Sequence, residues 1–431
     1  MSRRLHPIPR RLHRRPAAPA FPVGRGLSRR SLLTAGLLAP AGALMASLTS
    51  CGDSGDTPAD TLRVMDSYSN DPDDEIIGAA LEAAADAVGV TLQRVAVSGQ
   101  SLIQSVLQQG SSGTLPDILM LDNPDLQQIA ATTALRSFDE LGIPTEGYHE
   151  GVLQAGTYEG AVYGLVPTVN TVALFCNRVI FEEAGLDYPS TWEELRSCAA
   201  ELTEGSQYGI AFCGNATYEG TWQFLPFFWS NGADERHIAA EESAQALDLL
   251  AGFVRDGSAS SSVLNWGQAD VKDQFAAGRA AMMVNGPWQL PELSTLDDLD
   301  YEIVVLPVRD PSQTSVAPLG GEAWTVPATG DTAKEELAAA VLTEFLSDES
   351  VLSMAEQRFT VPGRPDLTDA FLERRPDMDT FADLIPEARA RTAQLGEEWP
   401  ATATALYTAL QLGLSGQMDV TEALEQAEEY V

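Results

Sequence analysis

Pro116-Asp117-Ile118-Leu119-Met120-Leu121-Asp122 sets four apolar residues in a row and closes them with a carboxylate. An unbroken apolar run of this length fits a strand buried on both faces, as in a parallel sheet. The residues before it supply the rest of such a sheet. Thr61 to Met65 reads as a strand. Ile77, Leu81, Ala84 and Val88 follow at offsets of 0, 4, 7 and 11, an apolar stripe at helical spacing. Thr91 to Val97 reads as a second strand, and Leu102, Ile103, Val106 and Leu107 mark another short helix. Strand, helix, strand, helix, strand within about sixty residues argues an α/β chain with a parallel sheet and helical crossovers. Ligands of such sheets bind beyond the carboxyl ends of the strands, where Asp122 and Asn123 stand.

Downstream, Val162 to Pro167 and Thr171 to Phe175 read as extended segments, followed by Asn177-Arg178 and a helix through Phe181 and Ala184 that stops at Gly185. Pro189-Ser190-Thr191-Trp192-Glu193-Glu194-Leu195 opens another helix, with Ser190 or Thr191 as N-cap and carboxylates in the first turn. Tyr208 to Phe212 is a further strand, and Thr217 to Trp229 is dense in aromatics. Val271 to Met283 reads as a helix ending near Gly278 with a short strand after it. Asn285-Gly286-Pro287-Trp288 then makes a turn that leaves a Trp at its exit. Tyr301 to Leu306 is a strand, Gly320-Gly321-Glu322-Ala323-Trp324 opens another, Lys334 to Leu346 is a helix, and Met378 to Val431 is mostly helical.

The first fifty residues differ from the rest. They carry nine Arg and no acid. Ser28-Arg29-Arg30-Ser31-Leu32-Leu33 resembles a twin-arginine export motif, Leu32 to Leu48 is apolar, and Leu48-Thr49-Ser50-Cys51 is a lipobox-like tetrapeptide. Residues 1–50 therefore read as a signal peptide and Cys51 as the lipidated start of the mature chain, with a plain signal anchor as the other reading. Gly52 to Asp60, small and acidic, continue from Cys51 as a flexible tether over 51–60. The remaining chain is too long for one compact core and suggests two domains. It holds 17 basic and 62 acidic residues, a net charge near −45. Such a surface repels nucleic acid and anionic headgroups, so the membrane is met through the lipid alone. Apart from Cys51, an odd set of Cys176, Cys198 and Cys213 permits one disulfide and one buried thiol. No metal-ligand spacing, G-x-S-x-G or P-loop occurs, and His149 and His237 read as surface residues.

Six segments in order carry a family likeness: the lipobox, PDILMLD, YGLVPTVNTVALFCNRVIFEEAGL, PSTWEEL, FAAGRAAMMVNGPW and LGGEAWTVP. The chain resembles the extracellular solute-binding proteins of ATP-binding-cassette importers, in the sugar-binding group related to maltose-binding protein. The likeness implies a two-lobed periplasmic-binding-protein-like fold, each lobe a mainly parallel sheet flanked by helices, with a hinge between. It implies lobe 1 over 61–170 and 307–348, lobe 2 over 171–306 and 349–431, and crossings at Thr168 to Val172 and near Val305 to Pro307. It implies a small-molecule ligand in the interlobe cleft, permease subunits as partners, a monomer, no cofactor, no metal and no catalytic residue. By resemblance Asp122 accepts bonds from sugar hydroxyls and Asn170 faces ligand. Trp288 of the Gly-Pro-Trp motif stacks on a ring, Gly321 and Trp324 bring backbone close to ligand, and Arg364 lies near the cleft. Cys176 stands where relatives carry a Tyr.

The residue chemistry agrees with a carbohydrate, whose hydroxyls need carboxylates and amides and whose ring face needs an aromatic plate. Asn123, Trp222, Glu322 and Trp399 complete the candidate set for these reasons. Most of the seven Trp read as core, and Trp288 as either plate or core. Two other functions use the same residue types: an exported lipoprotein glycoside hydrolase, with paired carboxylates, and an importer component for a polyol or polyamine. A strongly acidic pocket favours a cation; one or two carboxylates with several Trp favour a neutral sugar.

Overall fold

A computed structural model describes residues 60–97 and 99–431. The export motif, the lipobox with Cys51, and the tether up to residue 59 lie outside the described residues. Among the described residues no helix is long and apolar enough to cross a membrane.

The first sheet begins as the sequence reads. β1 (Thr61–Asp66), α1 (Asp73–Val88), β2 (Thr91–Ala96), α2 (Gly99–Ser112), β3 (Ile118–Asp122) and α3 (Asn123–Ala130) follow in order. β1 lies between β2 and β3 and pairs parallel with both. α1 turns Ile77 and Leu81 into the core, as the stripe requires. The strand Glu322–Thr325 then joins β3 antiparallel, setting Glu322 opposite Asp122, and Gly164–Leu165 adds an antiparallel edge. The sheet is therefore mixed. Helical crossovers fix a parallel direction only for β1 to β3; the other two strands arrive from distant segments with no crossover to orient them.

The second sheet runs in the order Tyr301–Val304, Ala173–Asn177, Ala280–Asn285, Tyr208–Ala211. Two of its three pairings are antiparallel, so it is not mainly parallel either. Its central strands are buried on both faces. Phe175 points to one face, with the rings of Phe275, Tyr301 and Phe381 at 6.3, 5.8 and 6.1 Å. Leu174 and Cys176 point to the other, into a core shared with the helices Trp192–Glu201, Tyr218–Ser230, Glu241–Asp256 and Trp399–Leu414. Thr191 caps the first of these helices in a capping box with Glu194. The aromatic-dense stretch is the helix Tyr218–Ser230, buried throughout from Gly220 on. Cys176, Cys198 and Cys213 are all free and buried, so the permitted disulfide is not formed.

Three chain segments run side by side between the sheets. Asn170 bridges Gly320, Thr171 Oγ1 donates to Pro318 O at 2.7 Å, and Pro318–Leu319 pairs parallel with Arg389–Ala390. The expected crossing at 305–307 falls later. Trp192 Nε1 donates to Pro307 O, and Val308 bridges Thr191, which keeps that stretch with the second sheet's helices. The packing also divides 349–431, where the sequence reading gives all of it to one lobe. The helix Asp348–Arg358 packs on α1, while Trp399–Leu414 and Val420–Glu428 pack on 241–256. An apolar helix face carries no address for the core that receives it.

Candidate functional site

A cleft of about 360 Å³ opens where the strand ends of the first sheet face the helices of the second. Tyr68 follows β1, Asp73 begins α1, Asp122 ends β3, and Glu322 sits opposite Asp122. The facing wall holds Tyr218, Glu219 and Trp222 from the first turns of one helix, Gln268 from the start of another, and Trp288 after the strand 280–285. Asn170, Gly320 and Gly321 come from the crossing segments, with Arg358 and Arg391 beside them. A larger groove of about 600 Å³ runs between α1 and the helix 348–358. It lies between two helices of the first lobe, away from the strand ends, and its lining offers no ring and no guanidinium.

Two arginines organise the cleft. Arg358 donates to Asp73 Oδ1 at 2.8 Å and to Thr168 Oγ1 at 3.4 Å, lies 3.9 Å from Glu322, and covers the Tyr68 ring at 4.5 Å. The Tyr68 hydroxyl donates to Glu322. Burial raises the pKa of both that hydroxyl and the Glu322 carboxyl above their ordinary values. Arg391 donates to Asp122 Oδ1 at 2.7 Å and to Asn123 Oδ1 at 3.4 Å, and its guanidinium lies 4.7 Å over the Trp222 ring. One side chain thus ties a strand end of the first sheet to a helix of the second. Beside it, burial and the Asp122 charge push the Asp125 carboxyl up to about 7, against the pull of Arg391.

Close approach explains three glycines. A Cβ on Gly320 would sit 2.0 Å from Asn170 Oδ1 and 2.7 Å from the Trp222 ring. Gly321 has φ +116°, a conformation that disfavours any side chain, and a Cβ there would meet Thr168 O at 2.7 Å. The Trp288 ring folds over Gly286, where a Cβ would lie 2.0 Å from it.

Of the candidates read from sequence, Asp122, Asn170, Trp222, Trp288, Gly321 and Glu322 meet at this cleft. The others do not. Asn123 is buried behind it, its Nδ2 donating to Leu319 O at 3.2 Å and Gly321 O at 2.9 Å, so it shapes the glycine segment. Trp324 is 1% exposed, with its ring 4.8 Å from Phe345 in the core. It stands two residues deeper along its strand than Glu322. Trp399 is 1% exposed in the second core, and Arg364 is ion-paired with Asp348 away from the cleft. His149, expected at the surface, is buried where the helix Glu150–Gly156 begins.

Sequence reasoning missed Tyr68, Asp73, Tyr218, Glu219, Gln268, Gly320, Arg358 and Arg391. Tyr68 was findable, since it follows β1 as Asn123 follows β3. Arg358 and Arg391 reach the cleft from 285 and 269 residues beyond their carboxylate partners, and no local motif marks them. Among the described residues no cluster of His, Cys, Asp or Glu is arranged to hold a metal ion.

Two mixed sheets, helices on their faces and a polar–aromatic cleft between them define a two-lobed α/β binding protein. The family model for bacterial extracellular solute-binding proteins matches residues 79–380, and the chain belongs to that family. A binding protein of Brucella abortus (strain 2308) is 25% identical over 240 residues, 51% of this chain; the chain spans about half, 56%, of that relative's length. The galactooligosaccharide-binding protein of Bacillus subtilis (strain 168) is 22% identical over 340 residues, 76% of this chain and 79% of that protein. The fold matches an importer solute-binding protein of Thermotoga lettingae bound with alpha-D-tagatose. That match has a TM-score of 0.74 and 21% identity, over 86% of this chain and 98% of that one. It also matches a cyclic alpha-maltosyl-1,6-maltose binding protein of Arthrobacter globiformis, with a TM-score of 0.73 and 21% identity, over 86% and 97%.

Proposed function

We propose that this chain is the substrate-binding lipoprotein of an ATP-binding-cassette importer. It is anchored through Cys51 after twin-arginine export, acts as a monomer, and binds a sugar or oligosaccharide between its lobes for delivery to a permease. The observation that carries the reading is the cleft itself. Trp222 and Trp288 on one wall face Asp122 and Glu322 on the other, with Asn170 between. Aromatic plates opposed to acceptors suit a ring with hydroxyls at its edge, and binding without turnover follows from the family. The names of the relatives support a carbohydrate.

Calorimetric titration against a panel of sugars, polyols and amines tests this directly. Trp288→Ala is expected to weaken the cognate sugar by about tenfold or more, since a stacked ring contributes on the order of 1 kcal/mol beyond its buried area. Unchanged affinity in a folded variant removes Trp288 from the site, and turnover of the sugar in the same sample revives the hydrolase.

A guest touching both walls binds the closed arrangement better than the open one and shifts the population toward closure. Small-angle scattering is expected to give a smaller radius of gyration with ligand than without. Tight binding at constant radius would discard the hinge.

A further inference from the structure

Arg389 and Arg391 stand two residues apart where the chain runs extended beside Pro318–Leu319, so their side chains leave it on the same side. Trp222 and Trp229 stand seven residues apart on the helix 218–230, two turns along one face. The two pairs meet. The Arg389 guanidinium lies 4.7 Å over the Trp229 ring, and the Arg391 guanidinium lies 4.7 Å over the Trp222 ring. Each also bonds a carboxylate: Arg389 donates to Glu235 Oε2 at 2.6 Å, and Arg391 donates to Asp122 Oδ1 at 2.7 Å. The chemistry repeats, but the placement differs. Arg391, Asp122 and Trp222 line the cleft, whereas Arg389, Glu235 and Trp229 stand outside its lining. Glu235 follows the helix that carries Trp229, so Arg389 grips one lobe. Asp122 ends a strand of the first sheet and Trp222 belongs to the second core, so Arg391 spans both walls.

From this geometry we infer that Arg391 is a positioning residue of the ligand site: it holds Asp122, the guest's acceptor, in a fixed orientation and at a set distance from the facing wall. The inference rests on the carbohydrate reading above, with Asp122 as a ligand contact. The Arg391 side chain is 7% exposed and offers little of its own to a guest, while that of Asp122 is 42% exposed. Asp122 precedes α3 without capping it, so among the described residues Arg391 alone holds its carboxylate.

The hold is two-pronged. Arg391 Nη2 bonds Oδ1, and Nη1 reaches Oδ2 at 3.4 Å, which sets the plane of the carboxylate and leaves its remaining lone pairs to the cleft. A planar guanidinium bonds a carboxylate and lies on a ring at once; an ammonium point charge does not. Without Arg391, Asp122 would turn freely at its strand end, and a guest would bear the entropy of fixing it on binding. The spacing between the acceptor and the second wall would then be set by the guest instead of the protein.

The test is calorimetric titration of the purified protein with glucose, galactose, maltose, maltotriose and galactobiose, repeated on variants with the tightest of them. Arg391→Met is expected to weaken that sugar by about tenfold or more, and Arg389→Met to leave it within about threefold, although both lower the thermal midpoint. Arg389→Met loses the same stack and the same kind of bond, so the pair separates a part in binding from a part in packing. On an Asp122→Asn background, Arg391→Met is expected to change affinity by less than about threefold, because its route to the guest is gone. Arg391→Lys serves where Arg391→Met does not fold; it keeps a cation beside Asp122 without the fork and is expected to weaken binding by about threefold or more. Unchanged affinity in the folded Arg391 variant overturns the inference. Tighter binding overturns it too, and makes the guanidinium an occupant of the guest's own place. An equal loss in Arg389→Met, or a loss that persists in full on the Asp122→Asn background, overturns it in favour of a general loosening of the crossing segment. Binding of none of these sugars by the unaltered protein overturns the carbohydrate reading and this inference with it.

Discussion

Arg358→Met is expected to lower the unfolding free energy by about 2–4 kcal/mol. Arg358 is 7% exposed and serves Asp73, Thr168, Glu322 and the Tyr68 ring at once. Met keeps most of the volume, so the loss is electrostatic. Asp73 is 41% exposed and returns to water at little cost. Glu322 is more enclosed, already has its pKa raised by burial, and loses the cation that opposes that effect. Thr168 also loses its contact at the first crossing segment, so loosening reaches the hinge. Denaturant unfolding reads the change as a lower midpoint at constant slope. A shift below about 0.5 kcal/mol would mean that solvent replaces the guanidinium without penalty.

Asp125→Asn is expected to stabilise the protein at alkaline pH. The carboxyl titrates near 7 in the fold, raised first by burial and then by Asp122, and near its ordinary value when unfolded. The folded state therefore holds the proton more tightly, and stability falls as pH climbs from about 4 to about 7. An amide has no such dependence. The gain should be absent near pH 4, open across that window, and level off above pH 8 at about 1–3 kcal/mol, reduced from the full linkage value because the group is only partly enclosed. Thermal midpoints of both proteins at pH 4, 6 and 8 check this, and parallel curves would show that Asp125 ionises freely.

Local order was legible in the sequence, and long-range placement was not. β1 to β3 with α1 and α2 follow from apolar runs and helical spacing, because each element's pattern lies within itself. The Thr191 cap was readable for the same reason. At the site, Asp122 was marked by its place at a strand end and Trp288 by the family likeness of its Gly-Pro-Trp turn, and both line the cleft. Trp324 was not excluded because depth along a strand leaves no mark on residue type: Glu322 and Trp324 share a strand, yet one lines the cleft and the other packs on Phe345. The two arginines were out of reach because their partners are set by the return of the chain over more than 260 residues.

That return has a bearing on how the molecule is made. The second core needs Trp399, Ala403, Leu406 and Leu410, and the helix that carries them packs between 218–230 and 241–256. A growing chain lacks these side chains until about 170 residues after the helix 218–230 have been synthesised. Until then the apolar faces of Phe224, Phe228, Leu247 and Leu250 have no complete cover. The second lobe's core is therefore assembled across a long stretch of chain, and a nascent chain that lacks its last partner exposes an apolar surface prone to misassembly.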